Sequence, residues 1–272
     1  MPELVADPTE RQEKELERGS MGLLQHLEEL RRRVLYSVVA VGVCFGVGWY
    51  KWEFIYNLMK RPIEQALSNH KLPTELGYLN PTDPFNLSLK IALMAGIFLA
   101  CPFLLYQVWM FISPGLYRRE KRFILPFLFL SVGLFAAGGI FGYKIVFPVA
   151  LDFLIGTGAE AGMRPLITIT EYTDLFLTIL LGLALIFELP IVLGFAGMMG
   201  VVSAKFLFKH IRAAVLVFFI FAAILTPTTD ILNMSIYAAP MILLYILSIG
   251  IVWMVHPKQR RKRAEKRKAA GE

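Results

Sequence analysis

The chain has 272 residues, 56% of which are hydrophobic, and its mean hydropathy is +0.58. A chain so apolar is not typical of a water-soluble domain and indicates a protein that folds in a lipid bilayer. The net charge is +7, but the 28 Lys and Arg lie in clusters between long uncharged runs. This is the pattern of membrane-protein loops rather than of a nucleic-acid-binding face, so no nucleic-acid partner is expected.

Residues 1–19 are rich in Glu and Arg and contain no apolar stretch, so they predict a disordered tail. An amphipathic segment then leads into the first of six apolar runs. Each run predicts a membrane-spanning helix, because a helix satisfies its own backbone hydrogen bonds in lipid. The runs are residues 34–50, 91–113, 124–147, 175–199, 213–225 and 236–255.

The sequence therefore predicts an all-α, polytopic membrane protein with three regions. Residues 1–19 form the tail, residues 20–256 form a six-helix transmembrane domain, and residues 257–272 form a polybasic tail. The fifth span is the shortest. Its 13 residues rise only about 20 Å, against a hydrocarbon core of about 30 Å.

The distribution of cations over the loops predicts the orientation. One set of loops has six Lys and Arg near the N-terminus, four in the second loop, three in the fourth and eight in the tail, which makes 21. The opposite set has five. The positive-inside rule then places the first set, and with it both termini, in the cytoplasm. In the first loop of the opposite set, residues 52–67 predict a short amphipathic helix interrupted at Pro62.

No cofactor or metal ion is expected. Cys44 and Cys101 each lie inside an apolar run, which is typical of core packing. The four histidines are far apart and have no metal-ligand spacing. The sequence also lacks a glycine-rich phosphate loop, so ATP is not expected to be the energy source within this chain.

Two groups of acidic residues lie next to arginines in segments predicted to face the cytoplasm. Glu28 and Glu29 are spaced four residues before Arg32 and Arg33, which is the favourable order for ion pairs on a helix. Glu120 is the only acid among four cations in the second loop. It could form a structural salt bridge or receive a cationic ligand, and the sequence leaves both open.

Glu188 is the acid whose placement costs most. It lies near the middle of the fourth predicted span, where a charge costs about 2.5–3.5 kcal/mol on insertion scales. Pro190 follows two residues later and removes a backbone donor, which predicts a break in the helix at that depth. Intramembrane acids usually mark a pathway or a partner contact, and a satisfied structural hydrogen bond is the alternative.

An ordered series of motifs resembles the TatC family, the signal-peptide receptors of the twin-arginine protein translocase. The first motif is His26-Leu27-Glu28-Glu29-Leu30-Arg31-Arg32-Arg33, and the others follow along nearly the whole chain. They are Pro62, Asp83-Pro84-Phe85, Pro102, the run from Tyr106 to Glu120, Phe147-Pro148, Phe187-Glu188-Leu189-Pro190 and Leu225-Thr226-Pro227.

The resemblance implies roles for particular residues. Glu29 and Glu120 correspond to the two carboxylates that recognise paired arginines, and Arg31, Phe111 and Arg122 belong to the same peptide-binding region. Glu188, with Pro190, corresponds to a polar intramembrane residue that faces the concave groove of a TatC-like arrangement, where partner helices or the apolar signal region bind. Four further residues are implied to be structural or to belong to an external cap: Pro62, Phe85, Pro102 and Asp230.

The resulting prediction is a non-enzymatic receptor of the cytoplasmic (inner) membrane. It would bind twin-arginine signal peptides and organise the transport of folded proteins with the proton motive force, together with TatA- and TatB-like single-span subunits and further copies of itself. One alternative is a proton-coupled secondary transporter that uses Glu188, although the sequence shows no convincing inverted repeat. Another is an intramembrane enzyme, for which no paired acid or Ser–His set is visible in the spans.

Overall fold

The computed structural model describes residues 8–112, 124–163, 165–226 and 230–255. Within these ranges the regular structure is helical, which confirms the all-α prediction. Five segments are long and apolar enough to cross a membrane: Gln25–Tyr50, Asp83–Ile112, Leu125–Glu160, Ile169–Met198 and Met234–Val255. A sixth apolar helix, Ile211–Leu225, is shorter, in agreement with the predicted short fifth span.

The first helix, α1, is continuous from Pro8 to Tyr50. It begins inside residues 1–19, where the sequence predicts disorder, so the structure differs from that prediction from Pro8 onward. Proline is well accommodated in a first helical turn, and the residues that follow are rich in Glu, Lys, Arg and Gln, which favour helix. The amphipathic segment and the first span are therefore one element.

The next long helix, α4 (Asp83–Ile112), packs closely along α1. A Cβ atom added at Gly48 would lie 2.8 Å from the carbonyl oxygen of Ala92, and one added at Gly96 would lie 3.0 Å from the backbone nitrogen of Phe45. Small residues let helix backbones approach each other in lipid, where packing rather than the hydrophobic effect drives association. These two glycines thus make the α1–α4 contact possible.

Two short helices, α2 (Trp52–Met59) and α3 (Arg61–Asn69), connect α1 to α4. The predicted interruption lies at Lys60 and not at Pro62. The reason is that Pro62 occupies the first turn of α3, where a missing N–H costs no helical hydrogen bond, and its side chain is buried there.

The third span is one long rod. Helix α5 (Ile124–Phe141) passes through a π-helical turn (Gly142–Val146) into α6 (Phe147–Glu160). The apolar segment Leu125–Glu160 has 36 residues and so measures about 54 Å, well beyond a hydrocarbon core of about 30 Å. Its far end, α6, packs against α3. We refer to α2, α3 and α6 together as the cap.

Tyrosine hydroxyls tie the cap to the long helices. The hydroxyl of Tyr172 donates to the carbonyl oxygen of Met59 at 2.5 Å, and that of Tyr143 donates to the carbonyl oxygen of Leu58 at 2.7 Å. Tyr172 belongs to α7 (Ile169–Ile186), which begins with the hydroxyl of Thr168 accepting from the backbone N–H of Glu171. The end of α2 is thereby fixed to the third and fourth spans.

The remaining helices complete the bundle. They are α8 (Leu189–Met198), α9 (Ala204–Lys209), α10 (Ile211–Leu225) and α11 (Ile231–Val255). Helices α8 and α11 pack closely because Gly197 leaves room for Val252, whose Cγ1 would be 2.7 Å from an added Cβ. Helices α10 and α11 are neighbours, as the short connection between them predicts.

We expect Gly48→Val to destabilise the protein by about 1–3 kcal/mol, because the new side chain would overlap the backbone of α4. Thermal unfolding of the purified protein in detergent measures this. The matched control is Gly42→Val, also on α1, where an added Cβ meets no atom within 4 Å. Equal stability of the two variants would contradict the role assigned to Gly48.

Candidate functional site

A polar cluster joins α1 to α4 near the arginine-rich part of α1. The Nε and Nη2 atoms of Arg33 donate to Oε1 of Glu29 at 3.0 and 2.5 Å. These residues are four apart on α1, so the predicted Glu29–Arg33 pair forms. The remaining guanidinium nitrogen, Nη1, donates to Oε1 of Gln107 on α4 at 3.1 Å. All three nitrogens of Arg33 are therefore used within the protein.

This cluster is partly open. The side chain of Glu29 is 23% exposed and that of Arg33 is 15% exposed, whereas Gln107 is buried. Both donors from Arg33 reach the same carboxylate oxygen. Among the residues that the structure describes, none makes a hydrogen bond to Oε2 of Glu29.

An aromatic contact adjoins the cluster. The rings of His26 on α1 and Phe111 on α4 stack with centroids 4.3 Å apart and an angle of 18° between their planes. Phe111 is half-buried. The structure thus brings two of the predicted peptide-binding residues, Glu29 and Phe111, to the same end of the α1–α4 pair.

The other predicted residues of this region are not brought into the cluster. Arg31 is exposed, and neither it nor the Glu28–Arg32 pair forms an ion pair among the described residues. Glu120 and Arg122 lie outside the described residues. The convergence of Glu29 with Glu120 therefore stays a prediction.

A second polar site lies inside the bundle, at the predicted break in the fourth span. Helix α7 ends at Ile186 and α8 begins at Leu189, so Glu188 lies at the junction, with 9% exposure. Its Oε2 accepts a hydrogen bond from the hydroxyl of Ser131 on α5 at 2.7 Å. Its Oε1 is buried and has no partner within the described part of the chain.

The backbone explains why Glu188 can lie there. Its N–H donates to the carbonyl of Leu185 at 3.1 Å, one residue closer than in a regular α-helix. Its own carbonyl accepts from both Ile191 and Val192 at 3.0 Å, and the buried Pro190 occupies the first turn of α8. The proline thus restarts the helix after a tightened turn, as its position predicts.

The four residues predicted to be structural or to belong to the cap have different surroundings. Pro62 is buried in α3. Phe85 is exposed in the first turn of α4, and its ring meets that of Trp49 edge-on at 6.0 Å. Asp230 directly precedes α11 and accepts from the N–H of Met234 at 3.1 Å. Pro102 lies within α4 and is exposed.

Three residues of these sites were not predicted as site residues. Arg33 was predicted as the ion-pair partner of Glu29 but not as a site residue, and in the structure it orients the carboxylate. Gln107 and Ser131 are polar side chains inside apolar runs, and that isolation is the signal that could have found them. Their partners lie 74 and 57 residues away in sequence, so only the packing of the helices reveals the contacts.

Fold and sites together define a multi-pass helical membrane protein with one polar cluster between α1 and α4 and one acid within the bundle. Among the described residues, no group of three or more His, Cys, Asp or Glu could hold a metal ion.

Comparison with known proteins agrees with this class. Residues 25–240 match the family described as Sec-independent protein translocase protein (TatC). The Koribacter versatilis protein of that name is 55% identical over 99% of both chains, and the Carboxydothermus hydrogenoformans one is 36% identical over 90% of this chain and 98% of its own. A crystal structure of TatC, described as the twin arginine translocase receptor, superposes with a TM-score of 0.75 at 33% identity, covering 85% of this chain and 99% of that one.

The chain belongs to the TatC family. It is therefore a membrane component of a protein translocase and not an enzyme, as the sequence predicts.

We expect Gln107→Leu to destabilise the protein by about 1–2 kcal/mol, because Nη1 of Arg33 would lose its acceptor in a partly buried position. Gln107→Glu retains an acceptor and should cost less. Thermal unfolding in detergent measures both. Gln65→Leu, at an exposed position of α3, is the control, and a similar loss in all three variants would contradict the role of Gln107.

Proposed function

We propose that this protein is the receptor that binds twin-arginine signal peptides and organises the transport of folded proteins across the cytoplasmic membrane. Membership of the TatC family supports the general role. The single observation that carries the binding proposal is the partly exposed carboxylate of Glu29, held by Arg33 through one oxygen and without a hydrogen bond from the described residues at the other.

The chemistry of the ligand fits this carboxylate. A guanidinium presents several N–H donors in a planar fork, and it can bridge carboxylate oxygens in a way that a lysine ammonium does not. One ligand arginine can therefore donate to the open Oε2 of Glu29. Arg33 keeps the carboxylate oriented, so the ligand does not have to order it on binding.

The second arginine of the peptide needs a second acid, and Glu120 is our candidate. It follows Ile112, the last residue of α4, by eight residues, so the connecting chain can reach at most about 29 Å. Gln107 and Phe111 bring the end of α4 next to Glu29. Glu120 is thus within chain reach of the cluster, and Arg31, Phe111 and Arg122 would complete the binding region.

Glu188 serves a later step in this proposal. A buried carboxylate oxygen without a donor is costly, and a polar group on a TatA- or TatB-like single-span partner would satisfy it. The partner would dock near the α7–α8 junction and lead to an assembly driven by the proton motive force. A proton-coupled transporter is less well supported, because a relay needs several exchanging groups. Among the described residues only Ser131 hydrogen-bonds to the side-chain carboxylate of Glu188.

The orientation completes the proposal. With 21 Lys and Arg on one set of loops and five on the other, both termini lie in the cytoplasm. The Glu29 cluster then faces the compartment in which precursors are made. The cap faces the opposite compartment.

We expect Glu29→Gln to weaken binding of a twin-arginine peptide by roughly tenfold or more, because the amide replaces a charge-assisted hydrogen bond by a neutral one. Fluorescence anisotropy of a labelled peptide with the purified protein in nanodiscs measures the affinity. Glu28→Gln, one residue away and exposed, is the matched control and should bind normally. A Lys-Lys peptide should bind weakly to all three proteins.

Glu120→Ala should also lose peptide binding while the protein remains folded and inserted, because the second arginine would lose its acid. The same anisotropy assay and a thermal unfolding curve measure the two properties. If Glu29→Gln and Glu120→Ala both bind the Arg-Arg peptide as tightly as the unmodified protein, the receptor proposal is wrong.

Glu188→Gln should leave the affinity for the peptide unchanged and reduce co-purification of single-span partners several-fold. The reason is that Glu188 lies within the bundle, apart from the α1–α4 cluster, and its open oxygen is the feature assigned to the partner. Loss of peptide binding in Glu188→Gln would overturn this division of roles.

A further inference from the structure

The short helix α9 is fixed against the end of α11. The hydroxyl of Ser203 accepts from the backbone N–H of Phe206 at 3.2 Å, which caps α9. The buried hydroxyl of Tyr245 on α11 donates to the carbonyl of Leu207 at 2.9 Å. Helix α9 is therefore held at a set position beside α11, at the end of the bundle where α8 turns into α10.

A groove of about 450 Å³ lies between these two helices. Its apolar part is formed mainly by Phe208, Ile249 and Trp253, with Gly250 between them. An added Cβ at Gly250 would meet no atom within 4 Å, so the groove is open at that point. Phe208 is 68% exposed and Trp253 is 48% exposed, so large apolar surface borders open space.

The rim of the groove is cationic. Lys205 and Lys209 both line it, are both exposed, and lie four residues apart on α9, which places them on the same side of the helix. Neither takes part in an ion pair among the described residues. The sequence has no Asp or Glu between Glu188 and Asp230, and α11 has none either. The positive charge at this rim is thus not balanced by acids of the same region.

We propose that this groove binds an anionic glycerophospholipid of the leaflet on this side of the membrane. The phosphate would bind Lys205 and Lys209, and an acyl chain would lie in the groove beside Gly250 and Trp253. Under the orientation proposed above, the leaflet is the cytoplasmic one. Basic pockets between membrane helices on that side are suited to anionic headgroups, and tryptophan favours the interface between headgroups and hydrocarbon.

The combination of an apolar groove with two lysines at its rim favours a lipid over a soluble anion or a protein. A free phosphate would use the two lysines but not the apolar groove. A single-span partner helix would use the apolar groove but has no need of two adjacent cations. An anionic lipid uses both in the order in which they occur, with charge at the rim and hydrocarbon below it.

Native mass spectrometry of the purified protein can measure binding of phosphatidylglycerol and phosphatidylcholine at equal concentration. The unmodified protein should prefer phosphatidylglycerol. The double variant Lys205→Gln, Lys209→Gln should reduce that preference roughly tenfold or more, since each interfacial lysine contributes about fivefold. The matched control is Lys51→Gln, Lys71→Gln, two exposed lysines on the opposite set of loops, and it should retain the preference.

Gly250→Leu tests the acyl part of the site without changing charge. It should weaken phosphatidylglycerol binding roughly tenfold, because the new side chain fills the open part of the groove. Leucine favours helix more than glycine does, so the fold is not at risk. Gly42→Leu, at an equally open glycine on α1, is the control.

Three results would overturn the proposal. The first is an unchanged lipid preference in both the lysine and the Gly250 variants. The second is complete displacement of the lipid by inorganic phosphate at the same concentration, which would show a simple anion site. The third is normal lipid binding by Gly250→Leu with reduced co-purification of a single-span partner, which would show a protein-docking surface. None of these measurements depends on the binding of a signal peptide.

Discussion

Helices α1 and α4 lie backbone to backbone where Gly48 meets Ala92 and Gly96 meets Phe45. In lipid, such close approach replaces the hydrophobic effect as the source of helix association. The contact sets the register between the two helices, and this register brings Arg33 within reach of Gln107. The orientation of the Glu29 carboxylate, and with it the proposed recognition of arginine, depends on two residues that have no side chain.

The two polar sites solve opposite problems. On α1, the side chain of Glu29 is 23% exposed and binds Arg33 through one oxygen, so in the proposed function a ligand donor at the other oxygen adds a favourable contact. Inside the bundle, Glu188 has one hydroxyl partner and one oxygen that is buried without a donor. In the proposed function, the first site receives a ligand from the aqueous side and the second receives a polar group of a membrane partner.

Much of the fold could be predicted from the sequence because lipid permits few structures. Long apolar runs must be helical, so the spans and the short α10 follow directly from their lengths. Local spacing also predicts the Glu29–Arg33 pair and the break at Pro190. The start of α1 and the break at Lys60 could not be predicted. A charged tail rich in helix formers can be disordered or helical, and a proline can interrupt a helix or lie in its first turn.

The contacts between residues far apart in the chain could not be predicted from the sequence. Arg33 with Gln107 and Ser131 with Glu188 depend on which helices are neighbours and on their rotation about their axes. A single polar residue in an apolar run indicates that it has a hydrogen-bond partner but does not identify which residue that partner is. Glu120 illustrates the other limit, since its proposed role comes from the resemblance and from the length of chain that links it to α4.

The third span has a mechanical consequence. Because α5, the π-helical turn and α6 are continuous and longer than the bilayer is thick, a single element links the part within the membrane to the part in the cap. Tyr143, in the π-helical turn, binds the backbone of α2, and α6 packs on α3. A tilt of α5 beside Glu188 would therefore displace α6 and the cap helices that contact it. In this way a change at Glu188 would be transmitted to the cap.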